Sequence, residues 1–236
     1  MTPPTAPATT LAWDDLFPPA SLVLRAGHGV ELRYLTDELL PAVASVAAQG
    51  IHDPSWQPMT EWTDVGDRER ARSVLSHVWR TRAGVGPEHW VLSFAVLRDG
   101  VVVGRQDLEA GRFATTREVS TGSWLGQVHQ GRGTGSVMRR AVLSFGFDHL
   151  GALSATTSAW KDNGPSNAVS RRTGYEPDGE GVAVVRGERR EEWRYRMTAA
   201  RWRGLGHPRV EVEGLTDACR EVLGAMVEPR DLRPGV

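Results

Sequence analysis

The sequence predicts an α/β fold in which antiparallel strands are interleaved with amphipathic helices, and three observations predict it. Trp90–Leu97 and Val101–Leu108 are two apolar, β-branched runs joined through Arg98-Asp99-Gly100, and Asp-Gly favours a primed hairpin turn. Glu118–Leu125 alternates Val119, Thr121 and Ser123 with Ser120, Gly122 and Trp124, the two-residue period of a third strand in the same run. That strand leads through Gln130-Gly131-Arg132-Gly133-Thr134-Gly135 into apolar residues at Val137, Met138, Ala141, Val142, Phe145 and Phe147. Their spacing of three and four marks the inner face of a helix.

The other elements follow in order. Residues 1–10 are rich in Pro, Ala and Thr, and residues 1–20 read as a disordered or extended N-terminal segment. Leu22–Arg25 and Val30–Tyr34 flank Ala26-Gly27-His28-Gly29, a hairpin or one bent strand. Thr36 and Asp37 are candidate N-caps for a helix over Glu38–Gln49. Residues 51–66 hold two prolines and the tryptophans Trp56 and Trp62, a loop whose aromatic residues either border a groove or plug the core. Asp67–Arg82 carries Ala71, Val74, Leu75, Val78 and Trp79 at helical spacing. Leu153–Trp160 reads as a buried strand, and a short helix follows with Pro165 at its start and Gly174 at its end. Val182–Arg186 and Glu192–Met197 form a closing pair. Residues 201–236 add a strand-like Arg209–Glu213 and a helix over Thr216–Leu223, an extension that either caps the sheet edge or meets a partner subunit.

Composition narrows the function. A chain of 236 residues suits one domain with extensions, and 40% hydrophobic with 24% charged residues is ordinary for a soluble globular protein. A net charge of −1 argues against a general nucleic-acid binder. No apolar run approaches a membrane span, and the start Met1-Thr2-Pro3-Pro4 lacks the basic and hydrophobic parts of a secretory signal. One cysteine, Cys219, permits no internal disulfide and fits a cytoplasmic setting. No His, Cys or Asp cluster has metal-ligand spacing, so no metal is expected. Nine tryptophans serve a core first, with a groove or a homodimer interface as further uses.

The stretch from 118 to 147 carries the chemistry. The first turn of a helix leaves backbone N–H groups without partners, and its dipole adds partial positive charge. Glycines let that backbone approach a phosphate closely. The motif is not a P-loop, because the only lysine in the chain is Lys161. Nor is it the dinucleotide fingerprint, because Gly131, Gly133 and Gly135 are spaced two apart. An ordinary helix after a glycine-rich turn is the plain alternative.

Gln130-x-x-Gly133-x-Gly135 resembles the acyl-CoA signature of the GCN5-related N-acetyltransferases, the GNAT family. Asn163-x-x-Ser166 leading to Arg172-x-Gly174-Tyr175 is similar to a segment of its RimJ/RimL-type subgroup, which acetylates ribosomal-protein N-termini, as is Gly122-Ser123-Trp124-Leu125. The resemblance covers about residues 22–198, and it sets the acyltransferase domain at 21–200. It implies a mixed, mostly antiparallel sheet of about seven strands flanked by helices, with an acyl-CoA in the splay between two central strands. The function it implies is transfer of an acetyl group from acetyl-CoA, or a succinyl group from succinyl-CoA, directly to a primary amine. The amine belongs to a protein N-terminus, a lysine or a small molecule. A non-catalytic acyl-CoA-binding or sensing protein is the alternative.

Carried over residue by residue, the backbone of Trp124, Leu125, Gly126 and Gln127 holds the pantetheine arm and the thioester. The N–H groups of Gln130, Gly131, Arg132, Gly133, Thr134, Gly135 and Ser136 hold the pyrophosphate, and Asn163 bonds the pantetheine. Donors aimed at a thioester oxygen also stabilise the oxyanion of direct amine attack. Ser166 is the candidate proton donor to the leaving thiolate, with helix capping as its other role. Glu118 is the candidate base, with Asp107 and Glu109 beside it, and each is also readable as a solvated charge. Arg132, Arg171 and Arg172 either meet CoA phosphates or form an ordinary charged face, and Tyr175 reads as core.

Overall fold

β3 (His89–Arg98) is buried along almost its whole length, because helices cover both faces of the sheet it belongs to. A computed structural model describes residues 11–53, 61–185 and 187–226. Trp90, Leu92, Phe94 and Val96 point into the larger core, while Ala95 and Leu97 point into a smaller one on the opposite face. The period of two thus sends one strand's side chains into two separate cores.

The sheet has nine strands rather than about seven, in the order β7-β8-β6-β5-β4-β3-β2-β1-β9. β1 (Val23–Arg25) and β2 (Val30–Tyr34) are separate antiparallel strands, not one bent strand. β9 (Glu211–Glu213) pairs with β1 and covers that edge of the sheet. The following helix α8 (Asp217–Val222) carries Cys219 into the main core, and the Trp90 indole N–H donates to the Leu223 carbonyl at 2.9 Å. The chain's last described residues are therefore integral to the core rather than appended to it.

At the N-terminal side, Trp13–Leu16 form a helical turn, α1, and Pro18 and Pro19 are buried in a 3-10 turn. This half of residues 1–20 is neither disordered nor extended; residues 1–10 lie outside the described residues, as do Trp56 and Arg186. α2 (Leu40–Ala48) starts two residues later than expected, and neither Thr36 nor Asp37 caps it with a side chain. Asp37 instead accepts from Arg82 on α3 (Asp67–Ala83) at 2.7 Å. α2 and α3 cover the smaller core through Leu40, Val43, Ala44, Ala47, Val74 and Val78. The hairpin from β3 to β4 (Val101–Gly111) turns at Asp99 and Gly100, both with positive φ, the primed geometry that Asp-Gly favours.

The short α4 (Phe113–Thr116) leads into β5 (Glu118–Leu125). The other face carries α5 (Thr134–Ser144), which buries Met138, Ala141, Val142 and Leu143. The chain then widens into a single wide turn at Phe145–His149, whose Phe147 stacks on Trp202 of α7 (Ala199–Leu205), with ring centroids 5.6 Å apart. β6 (Ser154–Trp160), α6 (Gly164–Thr173) and the hairpin of β7 (Glu176–Val185) with β8 (Glu188–Thr198) complete the chain. Every pairing is antiparallel except β5 with β6.

Candidate active site

The one parallel pair is where the sheet opens. β5 and β6 pair only at Glu118–Ser120 against Ser154–Thr156 and then separate, leaving the C-terminal half of β5 without a strand on that side. The Thr157 hydroxyl still reaches the Thr121 carbonyl at 3.0 Å. Arg139, from α5, bridges the gap by donating to the Ser123 hydroxyl at 3.0 Å and the Thr157 hydroxyl at 3.2 Å. Burial lowers the Arg139 pKa from its usual value, and neighbouring Tyr175 works the other way. The wedge is therefore held open by hydrogen bonds at its apex, not by chance divergence.

At the open end lies the glycine loop. Gly131 and Gly133 have φ of +73° and +80°, and a Cβ on either would meet only open space. Gly133 is the N-cap of α5 and offers no side chain to its first turn. As a result the N–H groups of Gly131, Arg132, Gly133, Thr134 and Gly135 donate to no carbonyl among the described residues. Five consecutive uncommitted donors at a helix N-terminus fit a pyrophosphate. Ser136 does not join them, because its N–H is taken by the Gly133 carbonyl at 3.1 Å. Nor does Gln130, whose N–H bonds Gln127 and whose amide donates to the Ile51 and Leu125 carbonyls at 2.6 and 2.9 Å. The signature glutamine therefore ties the loop to β5 and to the end of α2, and its contribution is to shape the loop.

Arg98, at the end of β3, holds the same loop from below and has no counterpart in the sequence reading. Its guanidinium donates to the Arg132 carbonyl at 2.9 Å and the Thr134 hydroxyl at 2.7 Å. Nothing in the local pattern marks it, because its partners are 34 and 36 residues away in sequence. Arg98→Ala is expected to weaken CoA binding about tenfold by loosening the loop, an effect of about 1.4 kcal/mol. The melting temperature should barely move, and titration calorimetry with thermal denaturation measures both.

The other expected residues divide. The Asn163 side chain caps α6 by accepting from the Ser166 N–H at 3.1 Å, which leaves its amide N–H groups without a partner among the described residues. Ser166 therefore does not cap the helix with its own hydroxyl, and that hydroxyl has no partner among the described residues. Ser166 stands one turn before Val169, whose side chain packs against Gly135, so both lie on the face of α6 that meets the start of α5. Trp124 and Leu125 flank the open edge of β5. Gly126 packs against α2, where a Cβ would sit 2.6 Å from Val46, and the Gln127 N–H bonds Gly50 at 3.0 Å. Tyr175 is core, its hydroxyl 3.2 Å from that of Thr121. Arg171 is exposed and donates to the Tyr195 hydroxyl at 3.3 Å.

Glu118 is misplaced as a base. It lies at the closed end of the wedge, seven residues before Leu125, about 23 Å away at the rise of a strand. Its carboxylate accepts from Ser154 at 2.6 Å and is ion-paired with Arg196. Glu109 is half-exposed and pairs with His89 at 3.1 Å. Asp107 differs: its side chain is only 13% exposed, 2.9 Å from Arg105 and 3.7 Å from His77 of α3. Burial pushes its carboxyl up, but Arg105 and His77 outweigh that and hold it below the usual range. Beside this group a cavity of about 340 Å³ opens on the α3 face, lined by Trp62, Glu69, Arg72, His77, Arg80 and Arg105. Trp62 both leans on the smaller core and borders this cavity, with its ring 6.3 Å from Trp124.

Comparison with known proteins gives the same frame. Residues 30–176 match the acetyltransferase (GNAT) domain family, more than half of the chain. Among solved structures, Mycobacterium smegmatis RimJ in complex with a CoA disulfide is 24% identical, over 82% of this chain and 97% of that one, with a TM-score of 0.61. A Salmonella typhimurium acetyltransferase that modifies the N-terminal serine of a 50S ribosomal protein is 17% identical. It covers 75% of this chain and 98% of its own, with a TM-score of 0.60. The microcin C7 self-immunity acetyltransferase MccE, in complex with acetyl-CoA and AMP, is 13% identical over 73% and 94%, with a TM-score of 0.60. A wedge at the one parallel pair, a glycine loop with free donors at its mouth and a family match spanning both place this chain in the GNAT acetyltransferase family.

Proposed function

We propose that the protein transfers an acyl group from acyl-CoA directly to a primary amine within a ternary complex. The observation that carries this is the row of free N–H groups at Gly131–Gly135, placed at the open mouth of the β5–β6 wedge. In this reading the row holds the pyrophosphate, the open edge of β5 at Trp124–Leu125 takes the pantetheine arm, and the Asn163 amide donates to it. Backbone N–H groups along that edge stabilise the oxyanion that forms when the amine attacks. Ser166 gives a proton to the departing thiolate, since its hydroxyl is uncommitted and its helix face meets the loop.

The amine enters from the α3 side, through the cavity beside Trp62 and Arg105, which lies against the strand next to the wedge. The acceptor is a protein N-terminus, a lysine or a small amine. The neighbouring enzyme that modifies a terminal serine makes a serine-initiated peptide the first acceptor to try. Acetyl-CoA is the expected donor. Succinyl-CoA is its natural comparison, because the Arg139 guanidinium stands at the apex of the wedge. The buried single cysteine suits a reducing, cytoplasmic setting.

The test is CoA release from acetyl-CoA and succinyl-CoA with serine-initiated peptides and small amines as acceptors. Acceptor-dependent release is expected, and Ser166→Ala should lower kcat at least tenfold at unchanged acetyl-CoA affinity. CoA binding without release for any amine would instead leave a sensing protein on this scaffold.

A further inference from the structure

On the face of the sheet under α3, several polar atoms lack a close hydrogen bond within the fold. His77 Nε2, Ser93 Oγ, Arg105 Nε, Asp107 Oδ1 and Trp124 Nε1 are all buried with no hydrogen-bond partner among the described residues. They are neighbours: Ser93 is the cross-strand partner of Asp107, and Arg105 that of Trp124. Buried polar atoms are seldom left without partners, so a concentration of them beside an open cavity points to a ligand.

We propose that His77 accepts the proton of the incoming amine, with Asp107 as its positioning residue. This rests on the acyltransferase reading and supplies the base that Glu118 cannot be. His77 lines the cavity with its side chain 39% exposed, while its Nε2 faces the buried Asp107 carboxylate at 3.7 Å. Such contacts are often long before substrate binds and tighten in the complex. A carboxylate on the Nε2 side fixes the neutral ring as the Nε2–H tautomer, which leaves the Nδ1 lone pair to the amine. Asp107 stays ionised because Arg105 holds it so, and it then balances the imidazolium that forms.

The proton inventory closes. The ammonium gives one proton to His77 Nδ1, and the freed lone pair bonds the thioester carbon. The C–S bond breaks, the amide nitrogen loses its second proton, and that proton ends on the CoA sulfur by way of Ser166. The charged groups around His77 are Asp107 and Arg105 of β4 and Glu69, Arg72 and Arg80 of α3.

The test uses the full chain, acetyl-CoA and a serine-initiated peptide. His77→Gln is expected to lower kcat/KM for the peptide about 100-fold near pH 7, the usual scale of general-base catalysis, with acetyl-CoA Kd within twofold. The limb of the wild-type pH profile that reports the ring should vanish in this variant. In Asp107→Asn the ring should lose its preference for the Nε2–H tautomer, because the carboxylate that fixes it is gone. Nitrogen NMR of the ring should show the Nε2–H tautomer in the wild type, a readout that needs no acceptor. A ring protonated at Nδ1, or a His77→Gln enzyme with wild-type kcat/KM and pH profile, overturns the assignment while leaving the acyltransferase reading intact. Absence of acetyl-CoA binding by the wild type would remove both.

Discussion

Gly133→Val is expected to abolish acetyl-CoA binding, weakening it at least 100-fold, while the protein stays folded. Gly133 sits at φ +80°, a conformation that costs an L-residue about 1–2 kcal/mol and a β-branched one more. Its Cβ would meet no protein atom, so the fold itself has no clash to relieve. The added side chain instead crowds the loop whose N–H groups at Gly131–Gly135 are uncommitted. A loss of about 2 kcal/mol lowers the melting temperature by only about 4–8 °C for a chain of this length. Calorimetric titration and thermal denaturation of the same sample separate the two effects, and near-normal binding by the variant would move the phosphate site elsewhere.

Gly104→Val should do the opposite and damage the fold first. Gly104 faces Leu125 across the β4–β5 ladder, and a Cβ there would lie 2.3 Å from the Trp124 carbonyl oxygen and 2.8 Å from the Leu125 Cα. Both are backbone atoms, so the strand rather than a side chain must move. The expected cost is about 3 kcal/mol, a fall of about 6–12 °C in melting temperature. Because the displaced stretch is the open edge of β5, acetyl-CoA affinity should fall with it. Gly122→Val on the same strand is the control: nothing lies within 4 Å of its Cβ, and its effect on stability should stay within about 0.5 kcal/mol. Equal melting temperatures for the two valine variants would refute the close-approach argument.

The parts of the fold that could be read from the sequence are those governed by local rules. The hairpin at Asp99-Gly100, the strand at Glu118–Leu125, and the Pro165 start and Gly174 end of α6 rest on turn chemistry and periodicity within a few residues. The helix after the glycine loop was legible for the same reason. What escaped depends on distant contacts. The strand character of Arg209–Glu213 was legible, but its place was not: β9 pairs with β1, as in the Leu24–Val212 pair, 188 residues apart. The short α1 has no apolar period to announce it.

The site divides along the same line. The glycine loop is contiguous, so its phosphate chemistry could be proposed from residues alone. Glu118 lies on a strand of the site, but a strand has two ends, and sequence does not tell which end the sheet opens. Arg98, Arg139 and the His77–Asp107 pair come from four separate elements. Their roles exist only once β3, α5, α3 and β4 are brought together.

The most direct measurement is calorimetric titration of the wild-type protein with acetyl-CoA. A single saturable site per chain, lost in Gly133→Val, is the predicted result. No heat of binding from the wild type, or equal binding by both proteins, would contradict the assignment of the β5–β6 wedge and its glycine loop as the acyl-CoA site.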